Sequence, residues 1–460
     1  MTERLADLTA VELVSRYQEG VLSPVEVLED VLARVDSLEP TLCALYAPDP
    51  TAARAAARDS EYRWRTGEPA GPLDGVPVTV KENIATRGTP VPQGTAAADL
   101  TPAAEDAPAA ARLRAAGAVI FSKTTMPEYG MLSSGVSTFH HLSRNPWDPT
   151  RTPGGSSAGA GAAAAAGYGP IHLGTDIGGS IRLPAGWCGV VGLKPTHGRV
   201  AVGNPYPGRA IGPLARTAAD AALALNVISG PDRRDYTSLP RLPDSYNPAL
   251  DPQGLRIGLL LDAGLGLPVD PEVSAAVSAA ATLLEKAGAI VEPIPPIITR
   301  EMLDGLDHFW RVRSAYDINA LPSERRSKVL PEIRRWVSTA GELTAFDVFR
   351  GHSQMHAMAV AVDAAFADYD FILSPVAPIT AFAAELAYPT DDPLKPFEHI
   401  AFTVPYNMST HPAATVNCGF SSTGLPIGLQ IAAPRFNDLA ALRLAAYVDA
   451  QTPHRPWPSA

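Results

Sequence analysis

Two serines in this chain stand behind glycines, and a lysine ends an apolar run upstream of both. Thr175-Asp176-Ile177-Gly178-Gly179-Ser180-Ile181-Arg182 puts Ser180 directly after two glycines, with Ile171 to Leu173 leading in as a strand. Consecutive amides without side chains in the way can converge on one point, which is what a developing oxyanion needs. Taken alone, the segment reads first as a glycine turn with a capping serine. Gly154-Gly155-Ser156-Ser157 supplies a second glycine-flanked serine and opens an Ala-rich helix from Ala158 to Ala166, where by itself it is an ordinary N-cap. Lys81 ends the run Leu73 to Val80, a turn leading into a β-branched strand, where burial would disfavour its charged form. A lysine at its ordinary pKa is neutral only about one part in a few thousand at pH 7, so service as a base demands a shift of several kcal/mol. Alone, Lys81 is a solvated lysine at a sheet end.

Other signals are weaker. Gly155-Ser156-Ser157-Ala158-Gly159 fits the nucleophile-elbow pattern, but Arg151 to Gly154 is no strand. Gly159-Ala160-Gly161 with Ala164 mimics a dinucleotide fingerprint and lacks the same upstream strand. Gly117 to Thr124 ends in Ser-Lys-Thr where a phosphate loop has Gly-Lys-Thr, and its Val-Ile-Phe belongs in a strand. His352 and His356 are four apart on an expected helix, without the Glu that follows the first His in zinc peptidases, so no metal site is expected.

The elements that must position these groups alternate. Thr9 with Glu12, and Ser23 with Pro24 and Glu26, announce two N-terminal helices, the first stopping near Gly20. A helix over Ala107 to Ala116 and a strand over Ala118 to Phe121 follow. Further strands are expected at Leu255 to Leu261, Ala289 to Ile294, Phe371 to Ser374 and Ile427 to Ile431, with a helix over Pro271 to Lys286 and helical character from Thr299 to Phe349. This rhythm predicts an α/β layered fold. Between Asn145 and Arg199, Gly, Ser, Ala and Pro dominate and amphipathic periodicity fades.

With 460 residues, 46% apolar and 18% charged, the chain can bury a large interior. No clean linker or repeat breaks it, so one domain over 1–460 is expected: N-terminal helices in 1–70, a core at about 71–220, and a substrate side at about 230–370. Net charge is −11 with no basic run, which argues against nucleic acid. With Glu3, Asp7 and Glu12 among its apolar residues the opening segment is not expected to be a signal or transit peptide, and no apolar stretch has bilayer length, so no membrane partner is expected. Cys43, Cys188 and Cys418 are scattered and odd in number, which fits a reducing cytoplasm and small buried hydrophobes.

The sequence resembles the amidase signature family. Gly154 to Gly159, Gly174 to Arg182 and Gly192-Leu193-Lys194-Pro195-Thr196 carry the family's glycine- and serine-rich signature. Asp74-Gly75-Val76-Pro77 with Lys81, Arg144-Asn145-Pro146-Trp147 and Leu425 to Gln430 match further segments, and residues near 230 to 370 match least. The resemblance implies a large mixed β-sheet between helical layers. It makes Ser180 the nucleophile, Ser156 the bridging serine after a cis peptide bond, and Lys81 the base. It implies an oxyanion hole from the amides of Ile177, Gly178, Gly179 and Ser180, bracing by Asp176 and Arg182, and substrate contacts from Met131, Thr152, Gly154 and Trp310.

The implied reaction is hydrolysis of a small-molecule amide through an acyl-enzyme, with no cofactor and no metal. A stand-alone amidase is the first reading. The alternative is the glutaminase subunit of an aminoacyl-tRNA amidotransferase, and an idle binding protein is the third. The acyl pocket is expected from Tyr129 to Gly135 and from Phe309, Trp310 and Tyr316, which suits an apolar or aryl group, while Arg311 and Arg313 offer pairing to a carboxylate or sit solvated at the surface. The resemblance also admits a homodimer.

Overall fold

Eleven strands between residues 45 and 432 join one sheet in the computed structural model, which describes residues 4–242, 246–390, 392–453 and 455–458. Glu3, counted above among the opening charges, lies outside them. In chain order the strands are β1 Leu45–Tyr46, β2 Pro77–Lys81, β3 Val119–Thr124, β4 Ile171–Asp176, β5 Val191–Lys194, β6 Ala210–Ala215, β7 Arg256–Leu259, β8 Ile290–Pro293, β9 Phe371–Pro375, β10 Ala413–Phe420 and β11 Pro426–Ala432. Their order across the sheet is β1-β3-β2-β4-β6-β5-β10-β11-β9-β7-β8. The pairs β3/β2, β2/β4, β9/β7 and β7/β8 are parallel and the rest antiparallel, so the sheet is mixed.

Helices cover both faces. On one, strand residues Val78, Leu173, Phe371 and Leu429 share an apolar cluster with Leu113, Ala221, Val277 and Leu442 of helices Pro108–Ala115, Ala218–Ile228, Pro271–Lys286 and Asp438–Gln451. On the other, Ile372 and Ala432 meet Leu183, Trp310, Met358 and Val404 from four more helices. Neighbours such as Phe371 and Ile372 enter opposite clusters because side chains alternate along a strand, and burial on both faces leaves no polar alternation in the sequence.

The expected elements stand with ends shifted by up to three residues, some trimmed and some extended. Helices Ala10–Gln18 and Pro24–Leu42 begin at reciprocal capping boxes on Thr9 with Glu12 and Ser23 with Glu26. The Ser-Lys-Thr of the mock phosphate loop is the end of β3. Thr299 to Phe349 is several helices rather than one: Arg300–Asn319, Ser323–Arg326, Pro331–Ser338 and the start of Ala345–Ala365, with Pro322 and Pro331 at the breaks. The faded periodicity before Arg199 also has a cause. All nine residues of Ala158–Ala166 are buried, so that helix has no wet face to write into its sequence. Of the three cysteines Cys188 is buried, while Cys43, the C-cap of helix Pro24–Leu42, and Cys418, at the register shift within β10, are partly exposed. No helix among the described residues is long and apolar enough to cross a membrane.

Candidate active site

Strand β2 runs between β3 and β4, parallel to both, so Lys81 at its carboxyl end stands beside the last residues of β4. Ligands gather beyond the carboxyl ends of parallel strands, where loops rather than helices meet. Here β4 delivers Thr175 and Asp176, and the loop from Ile177 to Ile181 follows before helix Arg182–Cys188. From the other side, the cis peptide bond Gly155–Ser156 and the start of Ala158–Ala166 bring two serines in.

Lys81 is wholly buried and donates to three hydroxyls: Ser156 Oγ at 2.8 Å, Thr175 Oγ1 at 2.9 Å and Ser157 Oγ at 3.1 Å. All three acceptors are neutral. Burial therefore dominates and pulls the amine down from 10.5 to about 7, against the opposing pull of the Asp176 and Glu82 charges.

The Asp176 carboxylate organises the loop. It accepts from the Gly179 amide at 2.9 Å, the Ile181 amide at 3.0 Å and Asn407 Nδ2 at 2.8 Å, and pairs bidentately with the buried Arg182 guanidinium at 2.9 and 3.0 Å. Burial alone would raise this carboxyl's pKa, yet the Arg182 charge and these donors hold it far below the usual carboxylate range. Arg182 in turn reaches the Thr403 carbonyl and Gln430 Oε1, each at 2.8 Å. Gly179 sits at φ +129°, where a Cβ would meet Thr403 Oγ1 at 2.6 Å, so the second glycine of the pair is required.

Ser180, Ser156, Thr175, Ile177 and Gly178 open onto one cavity, whose far wall includes Met131, Tyr206, Arg209, Trp310, Arg313, Trp336 and Phe397. Among the described residues no hydrogen bond joins the Ser156 and Ser180 hydroxyls, and no acceptor takes the amides of Ile177, Gly178 or Ser180. The arrangement pairs a low-pKa amine with a serine relay and sets free amides beside a second, more exposed serine. Such a set can move a proton off one hydroxyl and stabilise an oxyanion.

The sequence matches the family model described as Amidase over residues 26–442. The chain belongs to the amidase signature family. It is 36% identical to the A subunit of the glutamyl-tRNA(Gln) amidotransferase of Symbiobacterium thermophilum over 98% of both chains, and 36% identical to that of Chloroflexus aurantiacus over 96% of both. Among solved structures it is similar to a bacterial aryl acylamidase of the amidase signature family, at TM-score 0.88 and 28% identity over 97% of this chain and 96% of that one. It is also similar to the amidotransferase A subunit from Thermotoga maritima, at TM-score 0.79 and 27% identity over 99% and 98%.

Within this amidase signature chain, Ser156, Ser180, Ile177, Gly178, Met131 and Trp310 come together at the cavity, Lys81 is buried behind Ser156, and Asp176 and Arg182 are wholly buried beside the loop. Three expectations change. Of the four amides expected at an oxyanion hole, that of Gly179 is already given to Asp176 at 2.9 Å and braces the loop. Thr152 and Gly154 do not line the cavity: Thr152 is buried with its amide on the Phe382 carbonyl, and Gly154 packs against Pro184 and Trp187. Phe309 and Tyr316 also miss it, because Trp310, Arg313 and Ser314 occupy the inward face of helix Arg300–Asn319, leaving Phe309 against His352 and Tyr316 75% exposed. Arg311 turns away to Asp307 and Thr339.

Residue reasoning did not find Thr175 and Ser157 as Lys81 partners, nor Asn407, Thr403 and Gln430 around Arg182. No local pattern marks them, since the last three lie more than two hundred residues from the loop they support.

Proposed function

We propose that this chain hydrolyses the C–N bond of a carboxylic amide, with Ser180 as nucleophile, Ser156 as proton carrier and Lys81 as base. The observation that carries the reading is a wholly buried amine 2.8 Å from Ser156 Oγ, with Ser156 and Ser180 lining one cavity. Neutral Lys81 takes a proton from Ser156 as Ser156 takes one from Ser180, and the Ser180 oxygen forms its bond to the amide carbon. The amides of Ile177, Gly178 and Ser180 stabilise the oxyanion. As the C–N bond breaks, the proton returns through Ser156 to the leaving nitrogen, and water then cleaves the ester. Catalytic hydrogen bonds often tighten only in the substrate complex, so the absent Ser156–Ser180 bond is compatible with this order.

Two settings share this chemistry. The curated relatives, named as the A subunit of an amidotransferase, favour a glutaminase subunit that passes ammonia to partner proteins. The cavity lining weighs toward a stand-alone hydrolase, because none of the described residues that line it is an Asp or Glu to meet the ammonium of glutamine.

The test is amine or ammonia release from aliphatic, aryl and peptide amides and glutamine, by the purified chain beside Ser180→Ala. Turnover lost by at least about a thousandfold in the variant supports the nucleophile. Glutamine turnover that requires added partner subunits supports the glutaminase setting, and equal turnover by both proteins sinks the mechanism.

A further inference from the structure

Four buried polar atoms on residues of the cavity wall make no hydrogen bond within the protein: Trp310 Nε1, Arg313 Nε, Ser314 Oγ and the Tyr206 hydroxyl. The indole and guanidinium nitrogens can only donate. Buried polar atoms in folded chains are almost always hydrogen-bonded, so four exceptions on residues of one wall leave that wall short of acceptors.

Charge points the same way. Arg209 and Arg313 lie over the Tyr206 ring, 5.4 and 5.0 Å from its centroid. The ring attracts cations but carries no net charge to balance them. Arg313 pairs with Asp317 only at 4.0 Å, and that carboxylate is half exposed to water. No ion pair joins Arg209 to a described carboxylate; it donates to the Asn204 carbonyl at 3.3 Å. Two guanidiniums thus share a partly dry wall that contributes no anion of its own, a combination that is costly unless a counter-charge arrives.

We propose that Arg209 and Arg313 form an anion subsite for a carboxylate carried by the amide substrate. The proposal rests on the amide-hydrolase reading and names its substrate class. Trp336, Phe397 and Ile400 line the same cavity with apolar surface, which suits an aryl or alkyl spacer between carboxylate and amide. The class is therefore a dicarboxylic acid monoamide, or a like amide acid that carries no neighbouring cation.

Binding separates this claim from turnover. Terephthalate monoamide against its neutral diamide, and succinamate against succinamide, are titrated by calorimetry into the full-length Ser180→Ala chain. The same titrations use that chain with Arg313→Gln or Arg209→Gln added. The expected result is binding at least about tenfold tighter for a carboxylate probe than for its neutral partner, the scale of a charge-assisted hydrogen bond, with that ratio falling toward one in both arginine variants. Neutral probes binding as tightly as their acids, a preference that survives both arginine changes, or no binding by either acid would overturn the subsite. Wild-type chain offered the same probes reports hydrolysis separately. Carboxylate-selective binding without ammonia release would support the subsite while removing the hydrolase reading for that class.

Discussion

Changing Lys81 to Met separates the cost of burying this amine from its use. Burial pulls it from 10.5 to about 7, so at pH 7.5 it penalises the folded chain by about 4 kcal/mol relative to an unfolded chain in which it stays charged. The sign follows from proton counting. Between about pH 7 and 10.5 the unfolded chain holds a proton that the folded chain has shed, so stability climbs with pH across that window and the full penalty applies below it. Met keeps the side chain as far as Cε and removes the amine with its charge. Of the hydroxyls that Lys81 touches, Ser157 retains the Thr175 carbonyl at 3.2 Å and Thr175 retains Asn83 Nδ2 at 3.1 Å, leaving Ser156 Oγ stranded. One stranded buried hydroxyl costs about 1–3 kcal/mol. Lys81→Met is thus expected to gain about 1–3 kcal/mol at pH 7.5 while losing nearly all turnover. The same shift takes the neutral fraction at pH 7 from about one part in three thousand to about half, roughly a thousandfold more base. Wild-type kcat/KM should therefore rise through an apparent pKa near 7 and then level. Denaturant unfolding of both proteins at several pH values, with a pH–rate profile on any amide turned over, makes the measurement. A variant less stable than wild type at pH 7.5, or a profile still climbing above about pH 9, would refute the reasoning.

Two further changes probe the frame around the serines. Asp176→Asn leaves the wholly buried Arg182 without its counter-charge and should lower stability by about 3–5 kcal/mol in denaturant unfolding near neutral pH. Because the Asp176 carboxyl is held below its ordinary range, its contribution is present above that range and fades only in strong acid, so the gap between variant and wild type should narrow there. Gly155→Ala places a Cβ 2.6 Å from the Ser134 carbonyl and 2.7 Å from that of Leu132, backbone atoms that cannot swing aside. It should cost about 1–3 kcal/mol in thermal unfolding and reduce kcat by displacing Ser156.

Much of the local structure was legible because its causes are local. Thr9 with Glu12 and Ser23 with Glu26 satisfy helix-end amides within three residues, and Lys81 closes an apolar strand that can be read directly. The Gly-Gly-Ser180 and Gly-Gly-Ser156 segments likewise announced loops that need backbone, and both serines reach the same cavity. Strands β5, β6 and β10 were not read, since Val191–Lys194 and Ala210–Ala215 are buried throughout and show no alternation, while Ala413–Phe420 is interrupted by Asn417 and Gly419 at a register shift. Thr152 and Gly154 were misplaced for the opposite reason: neighbours of a site in sequence need not face it.

The sequence by itself determined many element types and the glycine-rich loops, because caps, glycine pairs and strand ends act over a few positions, while the three residues proposed for the relay came from its resemblance to the family. Only the tertiary structure decided that Lys81 is dry enough to lose its proton, since three neutral hydroxyls from two other segments surround it. It likewise decided that Asn407 and Gln430 hold Arg182, and that Arg209 and Arg313 meet over Tyr206 on one cavity wall. Desolvation and charge pairing depend on what the whole sheet brings within a few ångströms, and spacing along the chain carries no record of that distance.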